Sequence, residues 1–337
     1  MKKLFYTILL LSLYTVTDSC KKSRKLPQLT HYDIGKVIIQ MSGVMIHDVT
    51  NPPLAARFFA YTCLAGYEIV SENNSENKSM HGVLNQYPVI DKPNKAKGYN
   101  YQLSAILAMY KTAGKLQPSG GSLMVKNEQG FIDSCKKIGF DEATIDSSAN
   151  YAKAISKIIL AYAKADKYNR ISNYKRFTPG GAPENWSPTP PAYMAPVEPY
   201  FNTVRPLTLD SAAQFVPDKP IPFSTDKHSL FYKYLLQSYS KSGSSLTQQQ
   251  KDIANFWDCN PFAVQNDGHM LFGLKKISPG AHWMGITGIA CRQANANFSK
   301  AMEINTVVSI GMMDCFICCW DDKYRTNRIR PETAIRK

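Results

Sequence analysis

Lys323, Arg330 and Pro331 form the pattern K-x6-R-P within the last eighteen residues, WDDKYRTNRIRPETAIRK. A lysine offers a mobile point charge, and an arginine a planar fork of N–H donors. Together they suit a tetrahedral or trigonal-bipyramidal oxyanion, held through charge-assisted hydrogen bonds. Seven residues are almost two helical turns, so the spacing places Lys323 and Arg330 on nearly one helical face. Trp320 and Asn327, three before and four after Lys323, share that face. Pro331 disfavours helical geometry at the residue before it, so the helix is expected to end near Arg330. Arg336 supplies a second guanidinium six residues on. The alternative is a solvated basic helix end, because cations gather at helix C-termini and complement the dipole there.

The elements that must carry these residues read as helices throughout. Asn51-Pro52-Pro53 caps a helix running to about Ser71, with proline favoured in the first turn. Leu54, Phe58, Tyr61, Leu64 and Ala65 form its apolar stripe. Helical patterns continue over 101–109 and over 151–164, where Ile155, Ile158, Ile159 and Tyr162 keep the i, i+3, i+4, i+7 spacing. Residues 178–223 hold eleven of the twenty prolines. They are expected to form a long ordered connection draped over a bundle. Helices follow over 229–239, from the capping box Thr247-x-x-Gln250 to before Pro261, and from Ser278-Pro279 to about Ser299. The last helix, 301–329, is the most apolar. Its 301–320 stretch carries little charge beyond Glu303 and Asp314, so it is expected at the centre of the bundle. A membrane span is the alternative for a run this apolar. No strand pattern or internal repeat is evident.

The chain resembles the vanadium-dependent haloperoxidases, which share a superfamily with type-2 phosphatidic-acid phosphatases and bacterial acid phosphatases. CWDDKY…RIRPETAIR is similar to their first oxyanion-binding motif. HDVTNPPLAARFFAYTCLAGYE (47–68) resembles the opening helix of the bacterial haloperoxidase-related branch. WSPTPPAYMAPVEPYF (186–201) resembles its connecting segment. IANFWDCNP (253–261) and SPGAHWMGITGIA (278–290) resemble the pair of segments leading into its active-site bundle. The matches fall in the right order over about 32–337.

The resemblance implies an all-α fold of helical bundles. Lys323 and Arg330 would bind oxygens of vanadate or of a phosphoryl group, with Trp320 as a pocket wall. Asp258, Asn327 and Arg336 are possible supporting residues; Asp258 would pair with an oxyanion-binding arginine, or else be an ordinary helix-end aspartate. The family's later motifs, P-S-G-H and S-R-x5-H-x3-D, do not occur in this sequence. PSGG (118–121) lacks the histidine, and SPGAHW, which contains His282, precedes the first motif. No complete catalytic set and no direct metal ligand is therefore expected in this chain. It is expected to be the first part of the bundle, C-terminally incomplete and inactive alone. A separate C-terminal fragment or self-association would cover its apolar surface.

The organisation expected is a signal over 1–20, an N-terminal helical region over 21–177, the proline-rich connection over 178–223, and the first part of the oxyanion-binding bundle over 224–337. The chain has 337 residues, 44% of them hydrophobic, enough to bury a sizeable core. Its net charge of +14 favours anionic partners. The charge is scattered and no nucleic-acid module is recognisable, which argues against nucleic acid. Lys2 and Lys3 precede an apolar stretch over 4–16, too short to span a bilayer, and Ser19-Cys20 fits a lipidation site. The reading is an exported bacterial lipoprotein anchored at Cys20; simple cleavage and release is the alternative. Cys315-x2-Cys318 is half a zinc pattern without a second half. Cys315, Cys318 and Cys319 are expected as small core residues of a buried helix. Two function classes stand: an oxyanion enzyme using vanadate, peroxide and halide or else a phosphoester, and a non-catalytic exported helical protein.

Overall fold

The computed structural model describes residues 27–91, 97–190, 193–243, 246–267 and 270–336, with backbone alone for 263–267 and 270–274. The expected signal and Cys20 anchor fall outside the described residues. Ten helices are described: α1 (His31–His47), α2 (Pro52–Ser71), α3 (Tyr101–Leu116), α4 (Gly120–Ile138), α5 (Glu142–Lys164), α6 (Leu230–Ser240), α7 (Gln248–Trp257), α8 (Pro279–Gln293), α9 (Phe298–Thr326) and α10 (Pro331–Arg336). The all-α reading holds, with one addition. An antiparallel hairpin pairs β1 (Ala263–Asp267) with β2 (Met270–Leu274) between α7 and α8.

Local chemistry sets most helix starts. Asn51 accepts from the Leu54 N–H, with Pro52 and Pro53 opening α2. Thr247 and Gln250 close a reciprocal capping box on α7. Ser278 caps α8 ahead of Pro279. α8 stops at Gln293 rather than near Ser299, because Asn295 takes positive φ and Asn297 starts α9 afresh. α1 and α4 carry no assignment from the sequence, although Met124, Phe131 and Cys135, the buried side chains of α4, keep helical spacing.

The centre of the bundle is α2 and not α9. α2 packs against α3, α5, α8 and α9, and seventeen of its twenty residues are buried. Gly66 marks the closest approach, since a Cβ there would meet Met109 of α3 and Met302 of α9, each at 2.9 Å. Charges inside so buried a helix need partners. Arg57 Nε donates to Asp166 Oδ2 at 2.7 Å, and the Tyr61 hydroxyl donates to the same oxygen at 2.9 Å. Glu68 accepts from the Tyr87 hydroxyl at 2.8 Å and from Ser79 at 3.2 Å. Burial nevertheless holds the Glu68 carboxyl above the usual carboxylate range.

α9 buries one stripe, including Met302, Thr306, Ile310, Met313, Asp314, Ile317 and Trp320. Its opposite face, with Val307, Cys315 and Cys319, is exposed, and Cys318 is half-buried. The expectation of three core cysteines is thus corrected: among the described residues no helix covers that face. By length and composition α9 could cross a membrane; here its buried stripe packs on α2 and α8.

The proline-rich connection lies along this bundle as an ordered coil with one 3₁₀ turn at Phe201–Thr203. Phe201, Val204 and Leu207 are buried. Asp314, the lone acid of the α9 stripe, anchors it. Its carboxylate accepts from Leu207 N at 2.6 Å, from Thr208 N at 2.7 Å and from the Thr208 hydroxyl at 2.6 Å.

Candidate oxyanion site

α9 ends four residues before the expected stop. Asn327 takes the left-handed conformation at φ 45°, ψ 41°, and its N–H closes on the Lys323 carbonyl. Asn tolerates that region better than most side chains. The chain then runs extended through Arg328 and Ile329, paired with 184–186. Trp186 N donates to Asn327 O at 2.9 Å, and Ile329 N donates to Glu184 O at 2.7 Å. Pro331 does not terminate a helix but opens α10, where its fixed φ suits the first position.

Lys323 and Arg330 are therefore not on one helical face. The left-handed turn at Asn327 nevertheless brings both into one cleft of about 520 Å³. Its walls come from the tail (Tyr324, Asn327, Arg328), from the connection (Trp186, Met194, Val197) and from Asn260 and Phe262 before the hairpin. Trp320 stands behind this lining. Its indole Nε1 donates to the Val197 carbonyl at 2.9 Å, and its ring carries the Lys323 ammonium 4.2 Å from the centroid. The Tyr324 hydroxyl donates to the same carbonyl at 2.6 Å. Trp320 thus supports the lysine instead of forming the wall.

The electrostatics are one-sided. Asp321 and Asp322 are engaged by Arg325, at 3.3 and 2.7 Å. Glu332, at the cleft rim, is held by Arg336 at 2.9 Å. Among the described residues neither Lys323 nor Arg330 has a carboxylate partner. Lys323 is exposed at the mouth, yet surrounding protein and the Arg330 charge hold its pKa below the ordinary lysine value. Two cations packed together without a counter-charge favour an anion between them.

The other expected residues fall in different places. Asn327 lines the cleft and shapes it. Arg336 lies outside the lining, paired with Glu332. Asp258 also lies outside; Lys276 takes its carboxylate and holds it below the usual carboxylate range. Arg328 lines the cleft with its guanidinium 5.5 Å from the Phe231 ring centroid of α6. It stands in the same RIRP string as Arg330. No histidine is among the described lining residues, and His269 lies outside the description. No group of three His, Cys, Asp or Glu side chains placed to hold a metal occurs among the described residues.

A solved structure described as the first bacterial vanadium-dependent iodoperoxidase superposes with a TM-score of 0.82 and 37% identity, over 92% of this chain and 72% of that one. The chain belongs to the vanadium-dependent haloperoxidase family. No protein-family model matches it, and no curated protein does. In this chain the helical bundle is overlaid by the proline-rich connection, and the cleft lies where that connection meets the end of α9.

Proposed function

We propose that this chain provides the oxyanion-gripping part of an exported, peroxide-dependent halide oxidase. The observation that carries this reading is the pair of uncompensated cations, Lys323 and Arg330, facing one cleft. Vanadate, when bound, would supply the peroxide-activating and halide-oxidising chemistry. Lys323 and Arg330 would hold its oxygens and offset negative charge, an electrostatic contribution of the kind that dominates oxyanion chemistry. Trp320 keeps the lysine aimed, and Asn327 fixes the distance between the two cations.

The fit is to the oxyanion and not to the metal. Among the described residues no imidazole lines the cleft to hold vanadium or to attack phosphorus. On this reading the chain alone turns over neither halide nor phosphoester above background. A second copy would cover the exposed α9 face. A phosphoryl group offers the same oxygens, so the grip itself does not choose between peroxidase and phosphatase. Identity of 37% to an iodoperoxidase favours the peroxidase, with iodide as the first halide to try. The lysine-led apolar N-terminus and Cys20 support export and membrane anchoring, which radiolabelled fatty-acid incorporation lost in Cys20→Ser would establish.

Calorimetric titration with vanadate and phosphate tests the grip directly. Binding is expected in wild type and should fall roughly tenfold or more in Lys323→Ala, since a charge-assisted hydrogen bond contributes about 1.5–3 kcal/mol. The anion stabilises protonated Lys323, so affinity should fall as pH rises through the depressed lysine pKa, at lower pH than for an ordinary lysine. Binding unchanged in Lys323→Ala would remove the site.

A further inference from the structure

A second cavity, of about 430 Å³, lies beside the oxyanion cleft, and Asn260 lines both. Pro52, Trp257, Pro279 and Trp283 give it apolar walls. Inside it, Cys259 Sγ and His282 Nδ1 are 2.8 Å apart. Trp257 stacks on the His282 ring at 5.5 Å and 21°, and Phe256 meets it edge-on at 6.0 Å. The imidazole is thus held with its Nδ1 toward the sulfur. Lys276, paired with Asp258, adds a nearby positive charge that favours thiolate.

We propose that Cys259 and His282 form a thiol–imidazole pair that reacts with peroxide, a modification site at the edge of the oxyanion cleft. A buried thiol is a poor nucleophile until it loses its proton, and partial burial together with Asp258 pushes the Cys259 thiol up. His282 Nδ1 removes that obstacle by taking the proton as sulfur attacks. The sulfur–oxygen bond forms as the peroxide oxygen–oxygen bond breaks. The leaving hydroxide takes the proton from the imidazolium and departs as water. The thiol is oxidised to sulfenic acid and the peroxide is reduced.

The remaining described cysteines lack this combination. Cys63, Cys135 and Cys291 are buried; Cys318, half-buried, and Cys315 and Cys319, exposed, have no imidazole partner among the described residues. They serve as internal controls.

The test uses the full chain, reduced and desalted, with a few equivalents of hydrogen peroxide. Vanadate and halide are omitted, so the outcome does not depend on the peroxidase reading. Sulfenic acid is trapped with a cyclic 1,3-diketone and located by peptide mass spectrometry. Cys259 should be trapped at least roughly tenfold faster than Cys315 and Cys319, a modest share of the roughly 10²–10⁴-fold that a placed general base contributes. His282→Gln should bring it down to their rate with an unchanged circular dichroism spectrum. Equal rates at the three cysteines in wild type would overturn the proposal, and so would fast trapping that survives in a folded His282→Gln. If that variant does not fold, iodoacetamide alkylation of the wild type provides the second measurement. The same order of rates is expected; Cys259 alkylating no faster than Cys315 would overturn it.

Discussion

α2 and α9 are both long and apolar, and the bundle treats them oppositely. α2 is enclosed on all sides, with buried charges satisfied by Asp166, Tyr87 and Ser79. α9 buries twelve of its twenty-nine residues and leaves an apolar groove with α8, lined by Trp283, Val308, Met312 and Phe316, open to the surface. α6 and α7 bury no residue at all. Apolar composition shows that a helix has something to hide; only its neighbours decide whether it is hidden. One half of the molecule is a finished core, and the other is a platform that holds the Lys323–Arg330 cleft with little core of its own.

The widest gap between the halves should appear on truncating large side chains. Phe59→Ala in α2 is expected to cost about 3–5 kcal/mol, whereas Val307→Ala on the open face of α9 should stay within about 0.5 kcal/mol. Urea unfolding monitored by circular dichroism measures both, and similar losses would erase the contrast. Next comes Asp314→Ala, which orphans the Leu207 and Thr208 donors and should cost roughly 3 kcal/mol. It should also loosen the connection, seen as faster proteolysis within 207–223, while Thr306→Val on the same stripe should not. Trp283→Glu belongs with Val307→Ala at the small end. It should leave the melting transition within about 0.5 kcal/mol yet lower hydrophobic-dye binding and self-association, because the open groove is the apolar patch that invites both. Dye binding equal to wild type would mean that this groove is not the sticky surface.

Much of this was legible in the residues, and the pattern of what was not is physical. Helix starts are local chemistry: Asn51-Pro52-Pro53, Thr247 with Gln250, and Ser278-Pro279 each open the helix they announce. Helix ends depended on what lies alongside. Asn327 turns left-handed where 184–186 pairs with the exit strand, and Pro331 then begins a helix instead of ending one. Lys323 and Arg330 did converge, through that turn rather than through helical periodicity. Trp320 and Asp258 were placed by type, and their partners, Val197 and Lys276, decided their roles. The centrality of α2 could not be read from its apolar stripe, because Arg57 and Glu68 look like surface residues until their partners are known. The Cys259–His282 pair joins positions 23 residues apart, with a hairpin between them that no strand pattern announced.

The bonds from Asp314 to Thr208 span 106 positions, and this has a consequence for timing. Closing so long a loop is entropically costly, and contacts of this range form late. α2, α3 and α5 can pack together as soon as they leave the ribosome, whereas the connection between them and α6 must wait for α9 to be made before it has an anchor. Until then Trp186, Met194 and Val197 have no tail to lie against, and the Lys323–Arg330 cleft does not exist. A nascent chain released before Asp314 would thus carry a folded core and no site.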